Sequence, residues 1–160
     1  FLCLGTNKGE THPITFSHLL RCREKTKARL VVVDPRLTPT GEKADEWLGI
    51  QPHSDMALGL AMLHHVIDKG LYDREFVAKW VVGFDELKKH LLEKGYTPEW
   101  AAGATDIPAK KIVELAEGYA KAKPAAIFCN AGISHQMNAF QTYRVFAMLA
   151  AVTGNVGKPG

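Results

Sequence analysis

The sequence has little cysteine, and what it has is scattered. Its three cysteines, Cys3, Cys22 and Cys129, lie far apart and form no CxxC pair. That spacing offers no thiolate metal site, and an odd count argues against a disulfide framework. Cys3 and Cys129 fall inside apolar runs, where a thiol serves as a small buried hydrophobe. No apolar segment reaches the roughly 20 residues needed to cross a bilayer, so no membrane-spanning helix is expected. No window is dense in Lys or Arg with interleaved aromatics, and a net charge of +3 is too mild to suggest nucleic acid. The dinucleotide fingerprint GxGxxG is missing, as are repeats and low-complexity tracts. His64 and His65 are adjacent and cannot share a helix face, and no histidines stand at the i, i+4 spacing of a helical zinc pair.

No signal peptide is read in these residues, and targeting signals would be lost with any missing flanks. The chain opens on FLCLG without Met, as if inside a strand, and closes on TGNVGKPG, which reads as a loop. A piece of a longer protein is therefore expected, and cytoplasm and periplasm both stay open as its compartment.

What is present suits a globular domain. The 160 residues are 46% hydrophobic and 23% charged, enough for one domain with a real core. FLCL (1–4) and RLVVV (29–33) read as buried strands, EWLGI (46–50) as a third and PAAIFCN (124–130) as another buried one. Between the first two, Thr11 and Pro13 start a helix that Phe16, Leu19 and Leu20 make amphipathic through about Lys27. Ser54 or Asp55 caps the next helix, apolar nearly all round and ended by Gly70. Shorter helices follow, capped by Asp73 and by Thr97 with Pro98, and one ends on Gly95. Ile112, Leu115, Ala116 and Tyr119 carry a 3.6-residue period, and 138–152 reads as a final buried helix. Strands alternating with helices predict an α/β fold: a single Rossmann-like parallel sheet flanked by helices, spanning 1–160, with a helical insertion around 71–123.

In such a sheet ligands sit beyond the carboxyl ends of the strands. Those ends read Gly5-Thr6-Asn7, Asp34-Pro35-Arg36, Gln51-Pro52-His53-Ser54-Asp55 and Asn130-Ala131-Gly132-Ile133-Ser134-His135. Each mixes small residues with hydrogen-bonding ones, the pattern of a shared crevice. The first loop suits either an anion held by backbone N–H groups or a plain turn. Asp34 is placed either to accept ribose hydroxyls or to cap a turn. Arg36 beside it suits a diphosphate, or a surface ion pair with Asp34. Asp55 either caps a helix or accepts two parallel hydrogen bonds from guanine N1–H and N2–H₂, a pairing adenine does not offer.

With these residues assembled, the chain resembles the molybdopterin oxidoreductase family, also called the dimethyl sulfoxide reductase family. The resemblance covers essentially the whole chain. It rests on GTNKGETHP, VVVDPRLTPT, QPHSDMALGLAMLHHVID with LYDREFVAKWVVGFDEL, and AAIFCNAGISHQMNAFQTYRVFAMLAAVTGNVGKPG, in that order. It implies a domain holding one guanosine diphosphate arm of bis(molybdopterin guanine dinucleotide), with Mo or W, in a larger catalytic subunit. Gly5, Asn7, Glu10 and Thr11 match the loop that touches diphosphate and ribose. Asp34, Pro35 and Arg36 match the family's DPR, with Thr38 close behind. Ser54 and Asp55 match the end of Pro-Gly-Thr-Asp, where the acid reads guanine. Gly132, Ser134 and His135 match a loop near a pterin. One departure is His53, which stands where the family usually has Gly.

The resemblance places the metal ligand outside this segment, so no catalytic or metal-ligating residue is expected within 1–160. A 4Fe-4S cluster in the parent would likewise lie outside it. Expected partners are the remaining domains of the same chain, an electron-transfer subunit and an unassigned small-molecule substrate. The parent's chemistry would be two-electron redox or oxygen-atom transfer at the metal. Two other readings stay open: a dehydrogenase-like nucleotide-binding domain, and a non-catalytic interaction domain with a decayed site.

Overall fold

The computed structural model describes residues 1–157; residues 158–160, the end of the TGNVGKPG run, lie outside the described residues. Four strands, β1 (Leu2–Leu4), β2 (Val31–Val33), β3 (Glu46–Leu48) and β4 (Ile127–Cys129), form one sheet. All neighbours pair in parallel, in the order β3-β2-β1-β4, with Leu2 opposite both Val31 and Ile127. The helices, in chain order, begin with α1 (Lys8–Thr11), α2 (Pro13–Thr26), α3 (Pro39–Glu42) and α4 (Asp55–Asp68). Then come α5 (Arg74–Trp80), α6 (Phe84–Lys94), α7 (Pro98–Thr105), α8 (Ala109–Lys121), α9 (Ala131–Ser134) and α10 (Ala139–Val152).

The chain steps outward from β1 through β2 to β3, then returns to lay β4 on the other side of β1. Strand order therefore reverses between β1 and β4, the topological switch point at which open parallel sheets receive ligands. The period of two along each strand sorts side chains to opposite faces. Cys3, Leu30 and Val32 meet Phe16 and Leu19 of α2 on one face. Leu2, Leu4, Val31 and Val33 join the larger core on the other, with α4, α8 and α10. Helix α4 is buried without a break from Leu58 to Ile67, as its all-round apolarity predicts.

The inserted helices share that larger core through Val77, Leu91, Ala101, Ile107 and Ile112. Their caps are the ones read from sequence: Asp73 accepts from Phe76 N at 2.9 Å and Thr97 from Trp100 N at 3.2 Å. The insertion also positions the loop after β3. The Gln51 N–H donates to Thr105 O at 3.0 Å, and the Gln51 amide donates to the Asp106 carboxylate.

Three expectations need correction. Strand β4 is only half-buried, because it stands at the sheet edge, and an apolar run reads alike at an edge and in the centre. Helix α10 is buried along one face only, with Phe140 72% exposed on the other. The segments read as loops after β1 and β2 contain the short helices α1 and α3. Helix α3 forms because the Thr38 hydroxyl accepts from Gly41 N at 3.3 Å and Pro39 holds the first helical position.

Gly59 sits where α4 crosses α10, and a Cβ there would lie 2.7 Å from Val145 Cγ1 and 3.1 Å from Phe146 Cζ. Alanine gains about 1 kcal/mol of helix propensity over glycine, but overpacking costs about 1–3 kcal/mol, so crowding wins. Gly59→Ala should lower the urea midpoint, and Gly59→Ala with Val145→Ala should cost less than the two single changes added.

Candidate functional site

The site begins where β1 and β4 end. Gly5 adopts a left-handed φ of +54°, and its carbonyl accepts from Gly132 N at 2.9 Å. A Cβ on Gly132 would lie 2.7 Å from Gly5 Cα, and one on Gly5 would lie 2.9 Å from Gly132 Cα. Two backbones in contact have nothing flexible to yield, so both positions require glycine. Alongside, the Asn130 amide donates to Thr6 Oγ1 at 3.4 Å.

The loop after Gly5 is tied down by its own side chains. Asn7 Nδ2 donates to Glu10 Oε2 at 2.5 Å, and Thr11 Oγ1 donates to Asn7 O at 2.8 Å. Thr40, fully buried, donates to Asn7 Oδ1 at 3.2 Å and accepts from Gly9 N at 2.9 Å, joining α1 to α3. Glu10 and Thr11 are exposed, while Asn7 is half-buried.

At the end of β2 Asp34 is half-buried, with Pro35 and Arg36 exposed beyond it. Asp34 Oδ1 accepts from the Arg36 backbone N at 2.9 Å, an Asx turn. The acid therefore caps a turn through the backbone, leaving the Arg36 guanidinium outside this contact. Thr38 is 2% exposed, and its hydroxyl accepts from Gly41 N as the N-cap of α3.

In the loop before α4, His53 has a φ of +69°. A left-handed conformation favours glycine, which explains why a glycine would suit this position and why histidine there carries backbone strain. Ser54 holds the cap position of α4 without capping it; its Oγ donates instead to Gln51 O at 2.7 Å.

Asp55, the first residue of α4, is 4% exposed. Its Oδ2 accepts from Gln136 Nε2 at 2.5 Å, and the same nitrogen donates to Gly132 O at 2.9 Å. Burial pushes the Asp55 carboxyl above its ordinary value of 3.8, and the charge of Asp34 adds to this. The Gln136 hydrogen bond and nearby His53 act in the opposite direction. On α9, Ser134 Oγ lies 2.9 Å from Tyr143 OH, which donates to Asn130 O at 3.2 Å. His135 closes α9 through its backbone N–H to Ala131 O and its side chain is exposed.

Gly5, Asp34, His53, Asp55 and Gly132 thus share the carboxyl-end side of the sheet, where Gln136 joins Asp55 to Gly132. Asn7, Glu10 and Thr11 form a neighbouring cluster. Gln136 and Thr40 fall within the stretches that carry the resemblance, but neither has a role legible in the sequence, since an isolated polar residue carries no period. A cavity of about 910 Å³ lies elsewhere, lined by Phe1, Leu2, Tyr119, Ala125, Phe146 and Cys129 among others, and none of the sequence-selected residues borders it. Burial pushes the Cys129 thiol up to about 12, which keeps it protonated and suits it to packing. The switch-point end supplies a buried acceptor and a glycine-only contact, and the loop after β2 carries the exposed Arg36. Such a set suits recognition of paired N–H donors and an anion rather than nucleophilic chemistry. Among the described residues no group of three His, Cys, Asp or Glu could hold a metal ion.

The family model for molybdopterin oxidoreductase matches residues 1–160. The chain is 38% identical to the probable dimethyl sulfoxide reductase chain YnfF of Escherichia coli (strain K12), covering 98% of this chain and 22% of that protein. It is 37% identical to formate dehydrogenase H of the same organism, covering 97% of this chain and 21% of that one. Among solved structures, acetylene hydratase from Pelobacter acetylenicus matches with a TM-score of 0.89 at 33% identity, over 98% of this chain and 21% of its own. The chain spans about a fifth of the length of these relatives.

Two outcomes follow from the loop geometry. His53→Gly should be more stable than His53→Ala by about 1 kcal/mol in urea unfolding, because only alanine keeps a Cβ at positive φ. For Asp55 the folded carboxyl holds its proton to higher pH than the unfolded one, so stability falls as pH rises through the window above 3.8. Asp55→Asn should therefore raise the urea midpoint at neutral pH, and that gain should shrink as pH is lowered toward 3.8.

Proposed function

The chain belongs to the molybdopterin oxidoreductase family, and on that footing we propose that it anchors one guanosine diphosphate arm of bis(molybdopterin guanine dinucleotide) in a larger Mo- or W-dependent oxidoreductase. When bound, the cofactor supplies the metal at which two-electron or oxygen-atom chemistry occurs. The residues of this chain supply binding and orientation.

The observation that carries this reading is the convergence at the switch point. Asp55 is buried, and Gln136 donates to one oxygen of this acceptor, which has about four lone-pair sites. That leaves capacity for the N1–H and N2–H₂ edge of guanine. Asp34 offers a carboxylate suited to ribose hydroxyls, and Arg36 an exposed guanidinium suited to the diphosphate. Asn7 and Thr11 would contact the same arm from the loop after β1. Glu10, an anion, fits a sugar hydroxyl better than a phosphate. The loop from Gly132 to His135 would lie on the pterin side, and His53 beside the base. The Gly5–Gly132 contact supports the fit, because it keeps the crevice floor free of side chains.

This domain does not select the reaction. Its relatives include proteins named for dimethyl sulfoxide reduction and formate dehydrogenation, and a structural neighbour is named for acetylene hydration. An iron–sulfur cluster, the metal ligand, the substrate pocket and an electron-transfer partner would belong to the rest of the parent. No helix among the described residues is long and apolar enough to cross a membrane.

Replacing Asp55 tests the assignment. A charge-assisted hydrogen bond contributes about 1.5–3 kcal/mol, so Asp55→Ala in the intact parent should weaken cofactor retention by roughly tenfold or more. Elemental analysis of the purified parent should then find much less Mo or W per polypeptide. Metal content equal to wild type would refute the guanine-reading role.

A further inference from the structure

Nothing in the sequence gives Gln136 a role of its own, yet its amide links the loop after β4 to the start of α4. Its Nε2 donates to Asp55 Oδ2 at 2.5 Å and to Gly132 O at 2.9 Å, which uses both amide hydrogens. The Gly132 end of this link is set by its backbone, which abuts Gly5 and bonds to it. The Asp55 end is a carboxylate almost wholly removed from water.

A buried carboxylate tends to take up a proton, and its protonation state decides which base it accepts. Ionised, it can only accept, and so matches guanine, whose N1–H and N2–H₂ both donate. Neutral, it can give its proton to adenine N1 while accepting from the adenine amine. The groups that bear on this balance come from each neighbouring element. Asp34 after β2 favours the neutral form, while His53 in the preceding loop and the Gln136 donor favour the ionised one. Cys129 on β4 feels the Asp55 charge and stays a thiol.

We propose that Gln136 is a specificity-determining positioning residue: anchored on Gly132, its amide holds Asp55 as an oriented, acceptor-only carboxylate and so sets the preference for guanine over adenine. The inference rests on the reading of Asp55 as the base-recognising group. Oδ2 keeps a second lone pair, so accepting from Gln136 does not block acceptance from a base.

The test uses the intact parent produced without its cofactor, with GDP and ADP as competing probes between about pH 4 and 8. The wild type should prefer GDP at neutral pH and lose that preference as acid protonates Asp55. Gln136→Leu should cut the preference about tenfold at neutral pH, the effect of one charge-assisted hydrogen bond, and move the loss to higher pH. Gln136→Lys, which brings a charged donor, should keep the preference and move its loss to lower pH. A purely structural role would not shift the two variants in opposite directions. An unchanged preference and pH midpoint in Gln136→Leu would overturn the proposal, as would tighter GDP binding, which would make Gln136 a plug. If Gln136→Leu does not fold, the pH midpoint of Gln136→Lys decides alone. A wild type that does not distinguish GDP from ADP would instead remove the reading of Asp55 itself.

Discussion

Two backbones touch at the point where the sheet reverses direction. The contact between Gly5 and Gly132 lets the chain leaving β4 cross directly over the end of β1, with no side chain between them. One line of polar contacts at that end starts from it. Gly132 offers its carbonyl to Gln136, Gln136 reaches Asp55, and Asp55 opens α4, the helix around which the larger core is built. A methyl group at either glycine would push β4 away from β1 and break this chain of contacts at its root.

Burying the Asp55 carboxylate costs free energy, and the structure offsets it chiefly with local donors, with His53 adding to them. The amide of Gln136 and the carboxylate's own backbone N–H lie against it, and Asp55 stands at the positive end of a 14-residue helix. The loop leading to it is held from a distance. Gln51 is bonded to Thr105 and to Asp106 at the end of α7, so the inserted helices help fix the position of His53, Ser54 and Asp55. That connection gives the insertion a part in shaping the site in addition to filling the core.

The sequence made the helices legible because their signals are local: caps at Asp73 and Thr97, stops at Gly70 and Gly95, and a clean period in α8. The strand ends were legible for the same reason, since greasy runs stop abruptly at small polar residues. Edge and centre were not, because neighbour order is a long-range property, and β4 was read as buried when it lines the edge. Short helices such as α1 and α3 carry no such signal, because a few side-chain bonds, from Asn7, Thr38 and Thr40, make them rather than any period. Thr38 illustrates the limit within the site. Its place two residues after Arg36 suggests the crevice, while its hydroxyl is turned inward to cap α3. Gln136 illustrates the converse, since its importance comes only from what folding brings beside it.

In the role proposed here, the domain would hold one end of a long cofactor still while chemistry happens at the other, which is consistent with its similarity to parts of proteins named for quite different reactions. The central claim is that polar groups at successive strand ends meet a single guanine nucleotide. An experimental structure of the intact parent with its cofactor tests this most directly. Asp55 should lie within about 2.7–3.1 Å of guanine N1 and N2, still bonded to Gln136. A nucleotide bound away from the β1–β4 switch point, or a base other than guanine at Asp55, would contradict it.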